Sequence, residues 1–303
     1  MEREKKAQLS FSRSAIYRML SLFYRHPKET ADELCSADHQ AEWKCAVFLL
    51  SEEKEYKEKT GEIRARQGGR HFGDAGVLHR YVEETKWLPT KSGKEDFQFF
   101  EEGRLLGEGL EALIRELRMA PLEPWVEDYE RLFGHAAHGA AAPYELEYGE
   151  EHSHREPQEL GDISAFYEAF GLKVRNSIHE RVDHVAVECN FLHFLLFKEA
   201  YAWLNDTEEK AVICAAASRS FIADHLSLWL PVFSARLEKN AQTSILKALA
   251  KFAIAWISFE SLLLEIFPGS IDLPIRPLSG PEEISCERCP LPQLAEGQLL
   301  ERR

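Results

Sequence analysis

Two short runs near the middle of the sequence combine carboxylate, imidazole and phenol groups. Residues 143–148 read Pro-Tyr-Glu-Leu-Glu-Tyr, and residues 180–184 read Glu-Arg-Val-Asp-His. Tyrosines such as Tyr144 and Tyr148 offer apolar area with one polar tip, which suits a peptide groove. The alternative is that these tyrosines pack a loop against neighbouring helices. The chemistry that these runs offer is therefore either recognition or packing.

The pair Asp183-His184 stands at the start of a predicted helix. Asp183 is well placed to accept hydrogen bonds from the exposed N–H groups of the first turn, and its charge suits the positive end of the helix. His184 can be a packed core histidine. Glu188 lies one turn beyond it on a similar face, where its carboxylate can hold the imidazole or meet a basic group of a peptide. The predicted buried stripe of this helix is Val185, Cys189, Leu192, Leu196 and Trp203.

Sequence motifs of catalysis are absent. His179 and His184 flank a glutamate but stand five residues apart, whereas a zinc-protease helix needs histidines four apart. The fifth position is rotated by about 140° from that face, so we reject the metalloprotease interpretation. The sequence contains no phosphate-binding loop, no dinucleotide glycine fingerprint and no nucleophile elbow.

A second candidate for chemistry is Cys286-x-x-Cys289, which has the spacing of a metal or redox site. Two thiolates supply half of a zinc site, and His152 and His154, or a second chain, could supply the rest. The alternative is two free thiols in a flexible tail. We therefore expect no certain cofactor, with zinc or another metal at Cys286 and Cys289 left open.

The elements that position these residues are predicted to be helices. Apolar residues recur at helical spacing, and no segment shows sustained alternation with turn punctuation. Proline at 231 is expected to kink or split its helix. Tyr167, Phe170 and Leu172 are expected in the core, and Gly171 is expected to end a helix with positive φ. The predicted helices span 10–25, 29–59 (one or two helices), 97–119, a segment opened by Pro121 and Pro124, 159–170, 183–204, 207–239 and 243–266.

The order of these motifs resembles the TorD/DmsD/NarJ family of redox-enzyme maturation chaperones. The resemblance covers most of residues 10–267 and is densest over 129–196. It is carried by Tyr129-x-x-Leu132-Phe133, Pro143-Tyr144-Glu145-x-x-Tyr148, Tyr167-x-x-Phe170-Gly171-Leu172 and Asp183-His184 with the helix that follows. Two positions depart from the family's pattern. Arg181 replaces a proline, which leaves the helix entry less rigid, and Leu146 replaces a serine.

The resemblance implies the fold and the site. It implies an all-α, single helical-bundle domain of the TorD-like type over 1–267, with halves of about 1–134 and 158–267 joined by a long loop, 135–157. A proline-rich tail, 268–303, follows and is expected to be extended, either free or laid along the helical body. The implied residues for binding a client or its leader peptide are Asp183, His184, Glu188, Tyr144, Glu145, Tyr148 and Glu180.

The implied function is a cytoplasmic chaperone, not an enzyme. Its partner is the catalytic subunit of a molybdenum- or tungsten-type oxidoreductase, of the DMSO-reductase type, or the twin-arginine leader of that subunit. Binding holds the client back until its cofactor is inserted. The chaperone could be a monomer or a homodimer. Two rival interpretations stay open: a metal-dependent helical enzyme that uses His152, His154, Cys286 and Cys289, and a helical scaffold subunit.

Composition and charge agree with this class of function. The chain has 303 residues, 45% hydrophobic and 29% charged, which is a globular composition. Its net charge of −14 argues against a nucleic-acid partner, and residues 143–188 hold eleven Asp and Glu against four Lys and Arg. The start lacks an apolar signal region, no apolar run is long enough for a membrane span, and the six cysteines form no dense framework. These features favour a reducing cytoplasm and a basic partner.

Overall fold

The predicted amphipathic segments form helices in the part of the chain that the structure describes. The computed structural model describes residues 2–52, 94–133, 140–149, 156–174 and 180–276. Its helices are α1 (Glu2–Phe23), α2 (Pro27–Leu34), α3 (Ala37–Ser51), α4 (Lys94–Met119), α5 (Leu122–Phe133), α6 (Glu156–Ala169), α7 (Val185–Asn205), α8 (Glu208–Phe221), α9 (Ser227–Asn240) and α10 (Ser244–Leu264). Within these ranges there are isolated β-bridges but no strands, so the all-α class is confirmed.

The core lies between α1, α7, α9 and α10. Helix α1 packs along α7 and α3, while α10 packs against α4 and α9. Large side chains that are almost fully buried fill the centre, and removing their apolar area from water stabilises the fold. The largest are Trp43, Trp229, Trp256, Tyr17, Tyr24, Phe23 and Phe233. Helix α1 begins at Glu2 and therefore starts eight residues earlier than the apolar stripe predicted.

A buried ion pair ties the first helix to the last. The Arg13 guanidinium on α1 donates to both carboxylate oxygens of Glu260 on α10, with Nη2 2.7 Å from Oε1. The Tyr17 hydroxyl donates to the same carboxylate at 3.3 Å. Because an unpaired charge in this core would be costly, the pair restricts α1 and α10 to one relative register.

The long helix predicted over 207–239 is interrupted, but not at its proline. Residues Ile222–Leu226 form a π-helical turn between α8 and α9, and Pro231 lies inside α9. Proline has no N–H, so the carbonyl of Ser227, four residues earlier, loses its helical donor. The Gly269 N–H donates to that carbonyl at 2.8 Å. The expected split therefore falls before Pro231, and a distant segment satisfies the carbonyl that the proline frees.

Two segments outside the helices complete the body. Residues 140–149 lie within the predicted loop but are packed inward around a 3₁₀ turn, Glu145–Glu147, and α6 already begins at Glu156. The described part of the tail, 268–276, is extended and lies along the helical body. Of the two alternatives expected for the tail, free or laid along the body, the second is seen for these residues. Gly171 has the expected positive φ of 72°. No helix of the described residues is long and apolar enough to cross a membrane.

Candidate functional site

The structure brings the two motif runs together in a short antiparallel bridge. Tyr144 pairs with His184. The Glu145 N–H donates to the Asp183 carbonyl at 3.0 Å, and the Val185 N–H donates to the Pro143 carbonyl at 2.9 Å. Residues from the central loop and from the entry to α7 therefore form one site, although they are far apart in the sequence.

Asp183 is fully buried and holds the central loop in place. Its carboxylate accepts the Leu146 N–H at 3.2 Å and two bonds from the Arg181 guanidinium, at 2.9 and 2.8 Å. Arg181 also donates to Glu147 at 3.1 Å. Burial raises the pKa of the Asp183 carboxyl, and the charge of Arg181 offsets this only in part. Arg181, at the position where the family's pattern has a proline, thus holds the residues before the helix through paired hydrogen bonds. The expected loss of rigidity stays a prediction.

His184, and not Asp183, caps helix α7. The His184 Nδ1 atom accepts the Ala186 N–H at 3.1 Å, whereas the Asp183 carboxylate is turned toward Arg181 and Leu146. The prediction of an Asp183 cap is therefore wrong. The imidazole is 3% exposed, and burial lowers the pKa of His184 to about 3. It is neutral at neutral pH and acts as a hydrogen-bond acceptor.

Glu188 lies inside the core and does not contact a solvent-facing groove. It is 0% exposed, and its Oε2 atom accepts the Trp229 indole N–H at 3.2 Å. Burial and the neighbouring charge of Glu145 raise the pKa of Glu188 well above its usual value. The expectation that Glu188 holds the imidazole or meets a peptide is therefore wrong for this conformation, because its side chain points toward α9.

Glu188 and Glu145 form a pair of carboxyl groups that needs one proton. Among the described residues no N–H or O–H group donates to Glu188 Oε1 or Glu145 Oε2. A side-chain hydrogen bond between the two carboxyls is one of the causes that raise the pKa of Glu188. Burial, the charge of Glu145 and this hydrogen bond all favour the protonated form of the Glu188 carboxyl.

His225 completes this cluster and was not predicted. It lies in the π-helical turn, and its Nδ1–H donates to Glu145 Oε1 at 3.1 Å. Burial opposes protonation of His225, but the hydrogen bond and charge of Glu145 outweigh it and raise its pKa. π-Helical turns often occur at functional sites, yet their i→i+5 bonds leave no clear sequence pattern. Neither His225 nor Trp229 carries a motif that could have identified it.

The two motif tyrosines have different environments. Tyr144 is partly exposed, its hydroxyl donates to Glu180 at 2.9 Å, and the Arg181 guanidinium lies 4.8 Å from its ring centre. Tyr148 is buried, donates to the Ala142 carbonyl and stacks on Trp229. Tyr148 therefore packs the loop, as the alternative interpretation held. Tyr144, Glu180 and Arg181 form the accessible rim of the site, which we call the rim.

The predicted metal ligands cannot be placed. His152, His154, Cys286 and Cys289 lie outside the described residues. Within the described ranges no group of three or more His, Cys, Asp or Glu side chains is arranged to hold a metal ion. The assignment of a metal to Cys286 and Cys289 stays a prediction.

Comparison with known proteins gives consistent matches, and the family match covers the part of the chain that contains the site. The family described as "Nitrate reductase delta subunit" matches residues 103–235. The perchlorate reductase assembly chaperone of Dechloromonas aromatica (strain RCB) is 31% identical over 147 residues, which cover 46% of this chain and 64% of that protein. The chaperone protein TorD of Vibrio cholerae serotype O1 (strain M66-2) is 28% identical over 142 residues, 46% and 61% of the two chains.

These matches support a relationship to the TorD/NarJ-type family over residues 103–235. A further relative, the chlorate reductase assembly chaperone of Ideonella dechloratans, is 36% identical over 84 residues, 28% of this chain and 42% of that protein. The chain spans less than two thirds of the length of these curated relatives. The match over 103–235 contains all seven residues that the resemblance implied for binding, and it ends before the segment 268–276.

Proposed function

We propose that this TorD/NarJ-type chain is a cytoplasmic chaperone for the catalytic subunit of a molybdenum- or tungsten-type oxidoreductase. It binds that subunit or its twin-arginine leader and assists cofactor insertion before export or assembly. The observation that carries this proposal is the family match over residues 103–235. Relatives that match this chain are named assembly chaperones of perchlorate, chlorate and selenate reductases.

The charges of the site favour a basic partner. The Arg181 guanidinium donates to Asp183 and Glu147, while Glu180 accepts from Tyr144 and Glu145 accepts from His225. Arg181 is already engaged by Asp183 and Glu147, so it does not neutralise Glu180. The Glu180 carboxylate is 41% exposed at the rim, beside the ring of Tyr144. A leader with arginines followed by apolar residues can pair with the carboxylate and cover the ring.

The arrangement supports binding rather than turnover. His184 and Glu188, whose pKa values are shifted by burial, lie in the core and are not exposed at the surface of the site. They hold α7, α9 and the central loop together beneath the rim. Their role is to fix the shape of the surface that the client meets.

The test is the metal content of the client enzyme. The molybdenum or tungsten oxidoreductase is purified from a strain that lacks this chain, and molybdenum and tungsten per polypeptide are measured by mass spectrometry. We expect an enzyme that is present but poor in metal, restored by the wild-type chain. Full metal content and activity without the chain would contradict the proposal.

A further inference from the structure

Residues 268–276, which we call the strap, follow α10 and lie against the central loop. The chain leaves α10 through Glu265, whose φ of 52° turns it back over the bundle. At Gly269 it comes so close to α9 that an added Cβ would lie 1.9 Å from the Leu228 carbonyl oxygen. The Gly269 N–H donates a hydrogen bond to the Ser227 carbonyl, which lacks a helical donor because residue 231 is proline. One end of the strap is therefore fixed to α9, because Gly269 allows the close approach and Pro231 leaves a carbonyl free to accept its N–H.

The other end of the strap pairs with the loop as a β-strand would. The Gly149 N–H donates to the Pro274 carbonyl and the Arg276 N–H donates to the Glu147 carbonyl, both at 2.8 Å. These bonds form an antiparallel bridge between Tyr148 and Ile275. The central loop is therefore hydrogen-bonded on two sides. Pro143 and Glu145 pair with Val185 and Asp183, and residues 147–149 pair with the strap.

Arg276 supplies the side-chain contacts at this edge. Its Nε atom donates to the Tyr148 carbonyl at 3.0 Å, and its Nη1 atom donates to the Glu159 carboxylate at 2.8 Å. The side chain is only 15% exposed. The preceding Ile275 packs against the hydrophobic core. The edge therefore accepts an extended segment in which an arginine follows an apolar residue.

Main-chain pairing at a strand edge does not depend on the sequence of the added segment, and side-chain pockets give the preference. The chemistry held by the strap, a guanidinium beside an apolar residue on an extended backbone, is also the chemistry of a basic client segment. We propose that the edge at residues 147–149 is a docking site for an extended, arginine-containing peptide, and that the strap occupies it as the chain's own ligand. This inference rests on the proposed function, because it makes the client segment a competitor of the strap.

The competition has a consequence for affinity. A peptide can bind only the fraction of molecules in which the strap has left the edge. If the strap is away one-tenth of the time, the apparent affinity falls about ten-fold. Weakening the strap should therefore strengthen binding of a peptide with the same chemistry.

The test uses the strap itself as the probe. A fluorescein-labelled peptide of residues 268–276, Pro-Gly-Ser-Ile-Asp-Leu-Pro-Ile-Arg, is titrated against the full chain and three variants, with anisotropy as the readout. Arg276→Pro removes the N–H and both side-chain bonds, Arg276→Ala removes the side-chain bonds alone, and Arg276→Lys keeps the N–H and the charge. We expect the affinity to rise in the order Lys, Ala, Pro, with Arg276→Pro about ten-fold tighter than wild type. A control peptide in which glutamine replaces the final arginine should bind weakly to all four proteins.

Hydrogen exchange of the Gly149 amide, the partner of the Pro274 carbonyl, reports whether the strap has left. We expect faster exchange in Arg276→Pro. Equal peptide affinity for all four proteins would overturn the proposal, and so would a Gly149 amide that stays protected in Arg276→Pro. Because the probe comes from this chain, the outcome does not depend on any client: failure of a reductase leader to bind would count against the proposed function alone.

Discussion

Buried ionisable side chains determine how this molecule depends on pH at the scale of single residues. Glu188 and His184 lie within one turn of α7, and both are held in their neutral forms by burial. Their effects on stability have opposite signs, because a carboxyl gains its proton to become neutral and an imidazole loses it. Separate substitutions can therefore distinguish the two groups.

Glu188→Gln is expected to stabilise the fold more at pH 8 than at pH 5. The pKa of Glu188 is raised in the fold, so the folded chain binds a proton that the unfolded chain releases, and stability is lost as pH rises toward the folded pKa. The loss amounts to about 1.4 kcal/mol for each pH unit above ~4.3. The glutamine amide keeps the bond to Trp229 and can donate to Glu145. Thermal unfolding at both pH values measures this, with Glu111→Gln on α4 as the control. An equal shift at both pH values would show that Glu188 is not protonated in the fold.

His184→Asn should lessen the loss of stability on acidification. The pKa of His184 is lowered to about 3 by burial, so the unfolded chain binds more protons between pH 6.5 and pH 3 and stability falls as pH falls through this window. Asparagine can keep the N-cap bond to Ala186 without titrating. Urea unfolding at pH 7 and pH 4 provides the comparison. If wild type and variant lose the same free energy of unfolding, His184 does not carry this dependence.

At the scale of elements, apolar periodicity predicted most helices well. The predicted stripe on α7 is buried as its spacing indicated, and it consists of Val185, Cys189, Leu192, Leu196 and Trp203. The misses have tertiary causes. The π-helical turn depends on packing around His225, and Pro231 is tolerated because Gly269 satisfies the freed carbonyl. Neither cause can be read from a local window of sequence.

The candidate site was predictable in position but not in the roles of its members. The family resemblance implied that Tyr144, Glu145, Asp183 and His184 belong to one site, and the structure brings Tyr144 and His184 together in a β-bridge. Which carboxyl faces solvent depends on the rotation of each side chain against α9. The structure leaves the Glu180 side chain 41% exposed and buries Glu188 completely, and the sequence did not distinguish these two glutamates.

The fit of the strap to α9 can be tested with a pair of glycine substitutions. Gly269→Ala places a Cβ against the Leu228 carbonyl, so we expect a loss of about 1 kcal/mol or more as the bond to Ser227 is broken. Gly161→Ala on α6 meets nothing within 4 Å and should be neutral or stabilising by up to ~1 kcal/mol. Chemical denaturation measures both. Equal, small effects would mean that the strap is not seated against α9.

At the scale of the whole molecule, the helical body extends beyond the family match. The family match ends at residue 235, while α10 and the strap continue the same helical body. The division into a domain of 1–267 and a tail of 268–303 stays a prediction. Half of the net charge of −14 falls within residues 143–188, which carry eleven acidic and four basic side chains. Long-range attraction should therefore favour the approach of a basic partner.

Association with a basic client peptide should slow as salt rises. Exposed charges such as Glu180 are screened over about 10 Å at 0.1 M salt, whereas buried pairs are little affected. Stopped-flow association rates between low and high salt measure this directly, and dissociation rates should change less. Association rates that do not change with salt concentration would show that electrostatic steering does not guide the partner.

The most direct test of the central claim is a calorimetric titration of the client leader against rim variants. The peptide is the leader of the reductase whose metal content depends on this chain. The double variant Tyr144→Ala/Glu180→Gln changes only partly exposed side chains, and Glu111→Gln on α4 is the matched control. We expect the double variant to bind about ten-fold more weakly, a loss of ~1.4 kcal/mol, with the control unchanged. Wild-type affinity in a folded double variant would contradict the account.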